Sequence, residues 1–271
     1  MSSPTSTAPL ERKVIVTGGT RGIGRAVALA FARSGASVGI VARTQQTLAE
    51  TAETLRLAGA SKVAFAAADT SRQEQIQNAM VHLIAELGGV DTLVNVAATP
   101  ANAIGDTGIL SYDDSILRQE FATKGLGYLQ TMQAVAPLMV ERGWGRIINI
   151  GGGSVRRTGS ISATVRNASV TAISKNVADE LGPRGITVNV IHPGTTVTED
   201  FDQRTADIAA ARGIDVGTVL DDARKRTSIA PFANADEWAG VVLFLASDAA
   251  RIINGEAISV GGGTRGYVFH Y

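Results

Sequence analysis

From Lys13 onward, short runs of β-rich apolar residues alternate with longer stretches whose apolar positions recur at helical spacing. KVIVT is followed by a helical pattern from Gly22 to Ser34, SVGIVA by one reaching Ala58, and KVAFAA by one from Ser71 to Leu87. Gly35 and Gly59 stand where a left-handed residue closes a helix. The alternation continues with DTLVNV, a helical stretch from Ser111 to Arg142, RIINI, a helix from about Ser160 to Leu181, ITVNVI, a polar segment, a helix from Asp236 to Ala246, and AISV. Apolar runs of five or six residues separated by helices indicate parallel strands buried on both faces. The predicted fold class is α/β, a single doubly wound domain with helices on both faces of a parallel sheet.

Composition narrows the use of that fold. The chain has 271 residues, 25 basic against 25 acidic, 45% hydrophobic and 18% charged. That is enough apolar material for a large core, and the charge balance argues against nucleic acid or an anionic membrane surface as a partner. VVLFLA at Val241 to Ala246 is far too short to span a bilayer, so no membrane partner is expected. Residues 1–10, MSSPTSTAPL, read as a loose arm without the basic start and apolar run of a secretory signal, and a cytoplasmic location is expected. Cysteine is absent and the histidines His82, His192 and His270 are widely spaced, so no metal site is expected. Tyrosine and lysine are scarce: Tyr112, Tyr128, Tyr267 and Tyr271; Lys13, Lys62, Lys124, Lys175 and Lys225.

The first strand runs into TGGTRGIG, which places Gly18, Gly22 and Gly24 where strand turns into helix, with Thr20, Arg21 and Ile23 between them. Glycines there let the backbone turn tightly and approach a pyrophosphate, while the helix N-terminus offers free N–H groups and positive dipole. The strand-turn-helix context makes this a dinucleotide site. The second strand ends in Ala42 and Arg43, where an acidic residue would bind a ribose 2′-hydroxyl. No carboxylate repels a 2′-phosphate, and Arg43 and Arg21 can both fork onto one, so NADP(H) is the expected cofactor.

These segments resemble the short-chain dehydrogenase/reductase family from Lys13 to about Gly263. The match includes Asp69 and Thr70 after the third strand, LVNVAA at Leu93 to Ala98, GRIINI, ELGPRGITVNVIHPGTTVT, and FLASDAARIINGEAISVGGG. The resemblance implies a seven-stranded sheet and a homotetramer or homodimer. It implies cofactor contacts from the glycine turn, from Asp69 and Thr70 at the adenine, from Asn95 and Ala97, and from Pro193, Gly194, Thr196 and Thr198 at the nicotinamide end. It also implies a serine, a tyrosine and a lysine four residues later, helped by an asparagine. No tyrosine here has a lysine four residues on. Counting back from ELGPRG puts Ala163 at the tyrosine position and Asn167 at the lysine position. The serine position falls near Gly152, with Ser154 able to swing in, and the asparagine position falls on Ala122.

Losing that proton donor leaves three readings: an NADP(H)-dependent oxidoreductase with another proton source, a cofactor-bound non-redox enzyme (elimination, isomerisation or epimerisation), or a silent NADP(H)-binding subunit. The first is preferred, acting on a small to medium organic carbonyl, enone, imine or alcohol. Candidate catalytic groups are Asn167, Ser154 and His192, the last by its intrinsic pKa, although a packed histidine is the simpler account. Arg166 adjoins Asn167 on its helix but is expected to point elsewhere, and Tyr112 and Tyr128 are expected at an interface or the surface. Residues 11–271 are read as one domain, with 199–231 as the substrate lid, where Phe201, Ile208, Ile214, Val219 and Leu220 could line a pocket.

Overall fold

A computed structural model describes residues 12–98, 109–156, 158–230 and 232–266. The arm at 1–10 and Tyr267, His270 and Tyr271 lie outside the described residues. Seven parallel strands form one sheet in the order β3-β2-β1-β4-β5-β6-β9, namely β1 (Lys13–Thr17), β2 (Ser37–Ala42), β3 (Lys62–Ala67), β4 (Thr92–Asn95), β5 (Gly145–Ile150), β6 (Ile186–Pro193) and β9 (Ala257–Val260). A short pair, β7 (Thr196–Val197) and β8 (Ala233–Asn234), stands apart from it.

The helices cover both faces. On one side α1 (Gly22–Arg33) packs with α9 (Ala235–Leu245), so that Phe31, Val27, Trp238 and Val242 close over Val14, Val16, Ile40 and Ile148. On the other, α3 (Gln73–Leu87), α5 (Gly127–Arg142) and α6 (Ile161–Leu181) bury Met80, Leu83, Val135, Met139 and Ala178 against Ile15, Leu93, Ile147 and Val188. Apolar side chains on both faces of β1, β4, β5 and β6 explain why those strands read as mainly apolar runs. The sheet order reverses between β1 and β4, which opens a crevice at the strands' carboxyl ends for a ligand.

Two stretches differ from expectation. The helix predicted from Ser111 to Arg142 runs without interruption from Asp114 but changes its winding, as α4 (Asp114–Glu120), a wide π-helical segment from Phe121 to Leu126, and α5. Gly127 lets this segment press on the β3–α3 loop, since a Cβ there would lie 2.6 Å from the Thr70 carbonyl oxygen. The segment after β6 is not simply polar loop. It folds into α7 (Phe201–Arg212) and α8 (Val216–Lys225), the first closed by Gly213 and the second capped by Asp215, whose carboxylate accepts from the Thr218 N–H. α2 (Gln45–Leu57) completes the helices named here. No helix among the described residues is long and apolar enough to cross a membrane.

Candidate active site

The turn from Gly18 to Gly24 forms one end of the site. Gly18 has φ +70°, and a Cβ on it would lie 2.9 Å from the Ala97 backbone. A Cβ on Gly24 would lie 2.1 Å from the Gly18 carbonyl oxygen, so the turn folds directly onto the first turn of α1. The start of α1 already attracts an anion: the Gly22 N–H donates to Glu199 Oε1 at 2.7 Å. This is the arrangement that free N–H groups and the helix dipole favour, and the residues present therefore fit a dinucleotide phosphate. Thr20 and Ile23 are half-buried in the same turn.

Arg21 and Arg43 are exposed beside this turn. Arg21 lies 4.0 Å from Asp200. Partial burial draws the Asp69 carboxyl up, but hydrogen bonds from Ser71 and the charges of Arg43 and Arg72 hold it below its ordinary range overall. Asp69 accepts from Ser71 N at 2.9 Å and Ser71 Oγ at 2.7 Å, while Thr70 is buried against Gly127. At the opposite end Gly194 abuts Gly261, Thr196 Oγ1 donates to the Gly194 carbonyl, and Thr198 Oγ1 donates to Asp200 and accepts from Arg204. Pro193 ends β6 beside them.

Asn95 sits beneath the site. It is fully buried, with Oδ1 accepting from Thr17 and Thr131 and Nδ2 donating to Asn149. Its polar atoms tie β1, β4, β5 and α5 together, which makes it a frame for the half-buried Ala97 rather than a group facing a ligand. Thr17 Oγ1 accepts from the Ala97 N–H at 3.4 Å.

The centre of the site is on α6. Ser160 caps this helix by accepting from Ala163 N. One turn further, Asn167 is buried and donates from Nδ2 to Ser154 Oγ at 2.7 Å and to the Ala163 carbonyl at 2.8 Å. Ser154 Oγ donates in turn to the Ala163 carbonyl. Asn167 and Ser154 are thus brought together, and Gly152 is what allows it, because a Cβ there would fall 2.8 Å from Asn167 Nδ2.

The group that sequence reasoning missed is Lys124. The π-helical segment carries this lysine inward to 4% exposure, where Nζ donates to the Gly151 carbonyl at 2.8 Å and to Asn167 Oδ1 at 2.9 Å. Lysine is only a donor when charged, so this contact fixes the Asn167 amide with its oxygen toward Lys124 and its nitrogen toward Ser154. Among the described residues no carboxylate pairs with Lys124, and burial pushes its pKa down to about 7. It is Lys124, not the expected Ala122, that this segment delivers to Asn167. A lone charge among small and apolar residues in FATKGLGY was the available signal.

Other expectations shift. His192 is buried, its Nδ1 accepts from the Gly152 N–H at 3.1 Å, and burial, followed by the charges of Arg156 and Lys124, lowers its pKa to about 4. A neutral, packed imidazole is a poor general acid. Tyr128 is not at the surface: it is 1% exposed, donates to the Ile150 carbonyl at 3.2 Å, and burial raises its pKa well above the ordinary phenol value. Tyr112 is half-buried. Arg166 does point away from Asn167, into a buried ion pair with Glu120. No cluster of three or more potential metal-binding side chains is present among the described residues.

A family profile described as enoyl-(acyl carrier protein) reductase matches residues 18–265. An uncharacterized oxidoreductase of Methylorubrum extorquens is 34% identical over 260 residues, covering 94% of this chain and 99% of the relative. A 3-oxoacyl-(acyl-carrier-protein) reductase of Staphylococcus epidermidis is 29% identical over 258 residues, covering 94% and 99%. Among solved structures, the L-sorbose reductase of Gluconobacter frateurii complexed with NADPH and L-sorbose superimposes with a TM-score of 0.89 at 27% identity, over 97% of this chain and 100% of that one.

Proposed function

Because the chain belongs to the short-chain dehydrogenase/reductase family, we propose that it is an NADP(H)-dependent oxidoreductase acting on a small to medium organic carbonyl, enone, imine or alcohol, with a proton source other than the family's tyrosine. The observation that carries this reading is the glycine turn closing on α1, whose Gly22 N–H already holds a carboxylate oxygen. The turn from Gly18 to Gly24 holds the phosphates, and Arg21 and Arg43 hold the 2′-phosphate. Asp69 and Thr70 meet the adenine side, Asn167 the nicotinamide ribose, and Pro193, Gly194, Thr196 and Thr198 the nicotinamide amide.

When bound, the cofactor supplies or accepts the hydride. The residues of the chain fix it in place and exchange the accompanying proton. The substrate lid is the segment at 199–231, in which Phe201 packs against Phe232 with ring centres 6.0 Å apart.

Isothermal titration calorimetry with NADPH and NADH tests the reading. NADPH binds at least about tenfold more tightly, as expected for a phosphate met by arginine. Equal affinity, or tighter NADH binding, would overturn the assignment of Arg21 and Arg43.

The second reading, a cofactor-bound enzyme of non-redox chemistry or a silent subunit, draws on Ala163, which has no acid to offer on α6. It predicts cofactor binding with no consumption of NADPH across a panel of ketones, enones and imines.

A further inference from the structure

A buried lysine without a carboxylate partner is an expensive thing for a fold to keep, because the ammonium loses its hydration and gains no opposite charge. Lys124 occupies such a position at the carboxyl end of β5, between the Gly151 carbonyl and Asn167. From this placement we infer that Lys124 is the proton-exchanging group of the site, entering from the π-helical segment opposite α6 and supplying the charge that Asn167 cannot.

Its hydrogen bonds suit the task. Nζ donates two hydrogens, to the Gly151 carbonyl oxygen and to Asn167 Oδ1, atoms that can only accept. The ammonium has one further hydrogen, and the neutral amine has a lone pair in the same tetrahedral position. Among the described residues no further hydrogen-bond acceptor meets Nζ, and the nearby aromatic ring of Tyr128 has its centre 5.9 Å away. Loading or unloading the proton therefore leaves both existing bonds in place. The wide turn that delivers Lys124 is a rare backbone form found mostly at functional sites. Burial brings its pKa close to neutrality, where a proton is exchanged most readily in either direction.

In the direction of reduction, the carbonyl carbon gains the hydride and its two electrons. The Lys124 N–H bond breaks as an O–H bond forms on the substrate oxygen, and the resulting amine regains a proton from water. Oxidation reverses each transfer. Tyr128 on α5 lies beside Lys124, and His192 at the end of β6 feels the charges of both Lys124 and Arg156. The imidazole stays neutral above about pH 4, and the phenol stays protonated through neutrality. Lys124 is then the group that titrates near pH 7.

This inference rests on the cofactor reading above, and its test is a binding measurement that requires no known substrate. NADP+ and NADPH carry the same phosphates but differ by one positive charge on the nicotinamide ring. If Lys124 lies against that ring, NADP+ binds the neutral amine better than the ammonium. Calorimetric titrations in buffers of different ionisation enthalpy at pH 7 then show more proton release with NADP+ than with NADPH. The ratio of NADP+ to NADPH affinity also rises on going from pH 6 to pH 8. A ring charge that lowers the lysine pKa by one unit corresponds to about a tenfold change in that ratio.

Lys124→Met and Lys124→Arg both abolish the pH dependence, with the ratio high in the first and low in the second because arginine keeps its charge. A merely structural lysine would give none of this pattern. Equal proton release for the two cofactor forms by the wild-type protein, or an unchanged difference in Lys124→Met, would overturn the inference while leaving the cofactor reading intact. Failure to bind either form would overturn both.

Discussion

Replacing Lys124 by methionine should alter how stability depends on pH, and the size of the effect follows from the site. Burial lowers the lysine from its ordinary 10.5 to about 7 in the folded protein. Between those two values the unfolded chain holds a proton that the folded chain does not, so wild-type stability rises with pH across this window. The slope is about 1.4 kcal/mol per pH unit. From pH 7 to pH 9 the wild type gains about 2 kcal/mol relative to Lys124→Met, whose side chain has nothing to titrate. Below pH 7 both forms of the wild-type chain are protonated, and the difference is flat.

The absolute offset between the proteins is a balance. Methionine removes the burial of an ammonium, worth up to about 5 kcal/mol at low pH on the same relation. It also strips the Gly151 carbonyl and Asn167 Oδ1 of their donor, at about 1 to 3 kcal/mol for each acceptor left unsatisfied. The trend with pH does not depend on that balance, because every other titrating group is common to both proteins. Urea unfolding followed by circular dichroism at pH 6, 7, 8 and 9 measures it. Parallel stability curves for the two proteins would refute the claim that Lys124 is buried without a counter-charge.

Two further outcomes follow from the turn and from α6. Gly24→Ala drives a methyl into the Gly18 carbonyl and should destabilise the protein by about 1 to 3 kcal/mol while abolishing NADPH binding; a stable variant with unchanged affinity would show that the turn tolerates displacement. Restoring the family's acid on α6 by Ala163→Tyr with Asn167→Lys should fail alone, because two ammonium groups would face each other at a cost of about 4 kcal/mol. With Lys124→Asn added, NADPH oxidation by ethyl acetoacetate should rise at least about tenfold above wild type. No gain with NADPH binding retained would mean that the pocket around Ala163 has been remodelled for other chemistry.

The strands were legible because each carries its own signal: β1, β2 and β3 are apolar runs with glycine-closed helices between them, and their bounds coincide with those read from the pattern. The π-helical widening of the helix before β5 was not legible. FATKGLGYLQT has no proline, and its apolar spacing suits a continuous helix. The contacts that accompany the widening are tertiary: Gly127 packs onto the Thr70 carbonyl, Gly125 faces Ser169 on α6, and Glu120 is anchored to Arg166 on α6. α7 was hidden for a related reason, since it buries only Thr205 and Ala209, too few positions to set up a visible period, whereas α8 does place Val216, Val219 and Leu220 at helical spacing within a segment read as loop.

The same π-helical segment explains why the candidate site was read only in part. A residue's face on an α-helix follows from its count, but a stretch with i to i+5 bonding turns later side chains away from that count. Ala122 was the position aligned with the family's asparagine, whereas Lys124 is the side chain that arrives at Asn167. Searching for a tyrosine with a lysine four residues on examines a single turn of one helix. Lys124 and Asn167 are separated by 43 positions in the chain and by 2.9 Å in space. The amino group that position 167 lacks is therefore present beside it, delivered from the facing helix, and the asparagine on α6 is the acceptor that orients it.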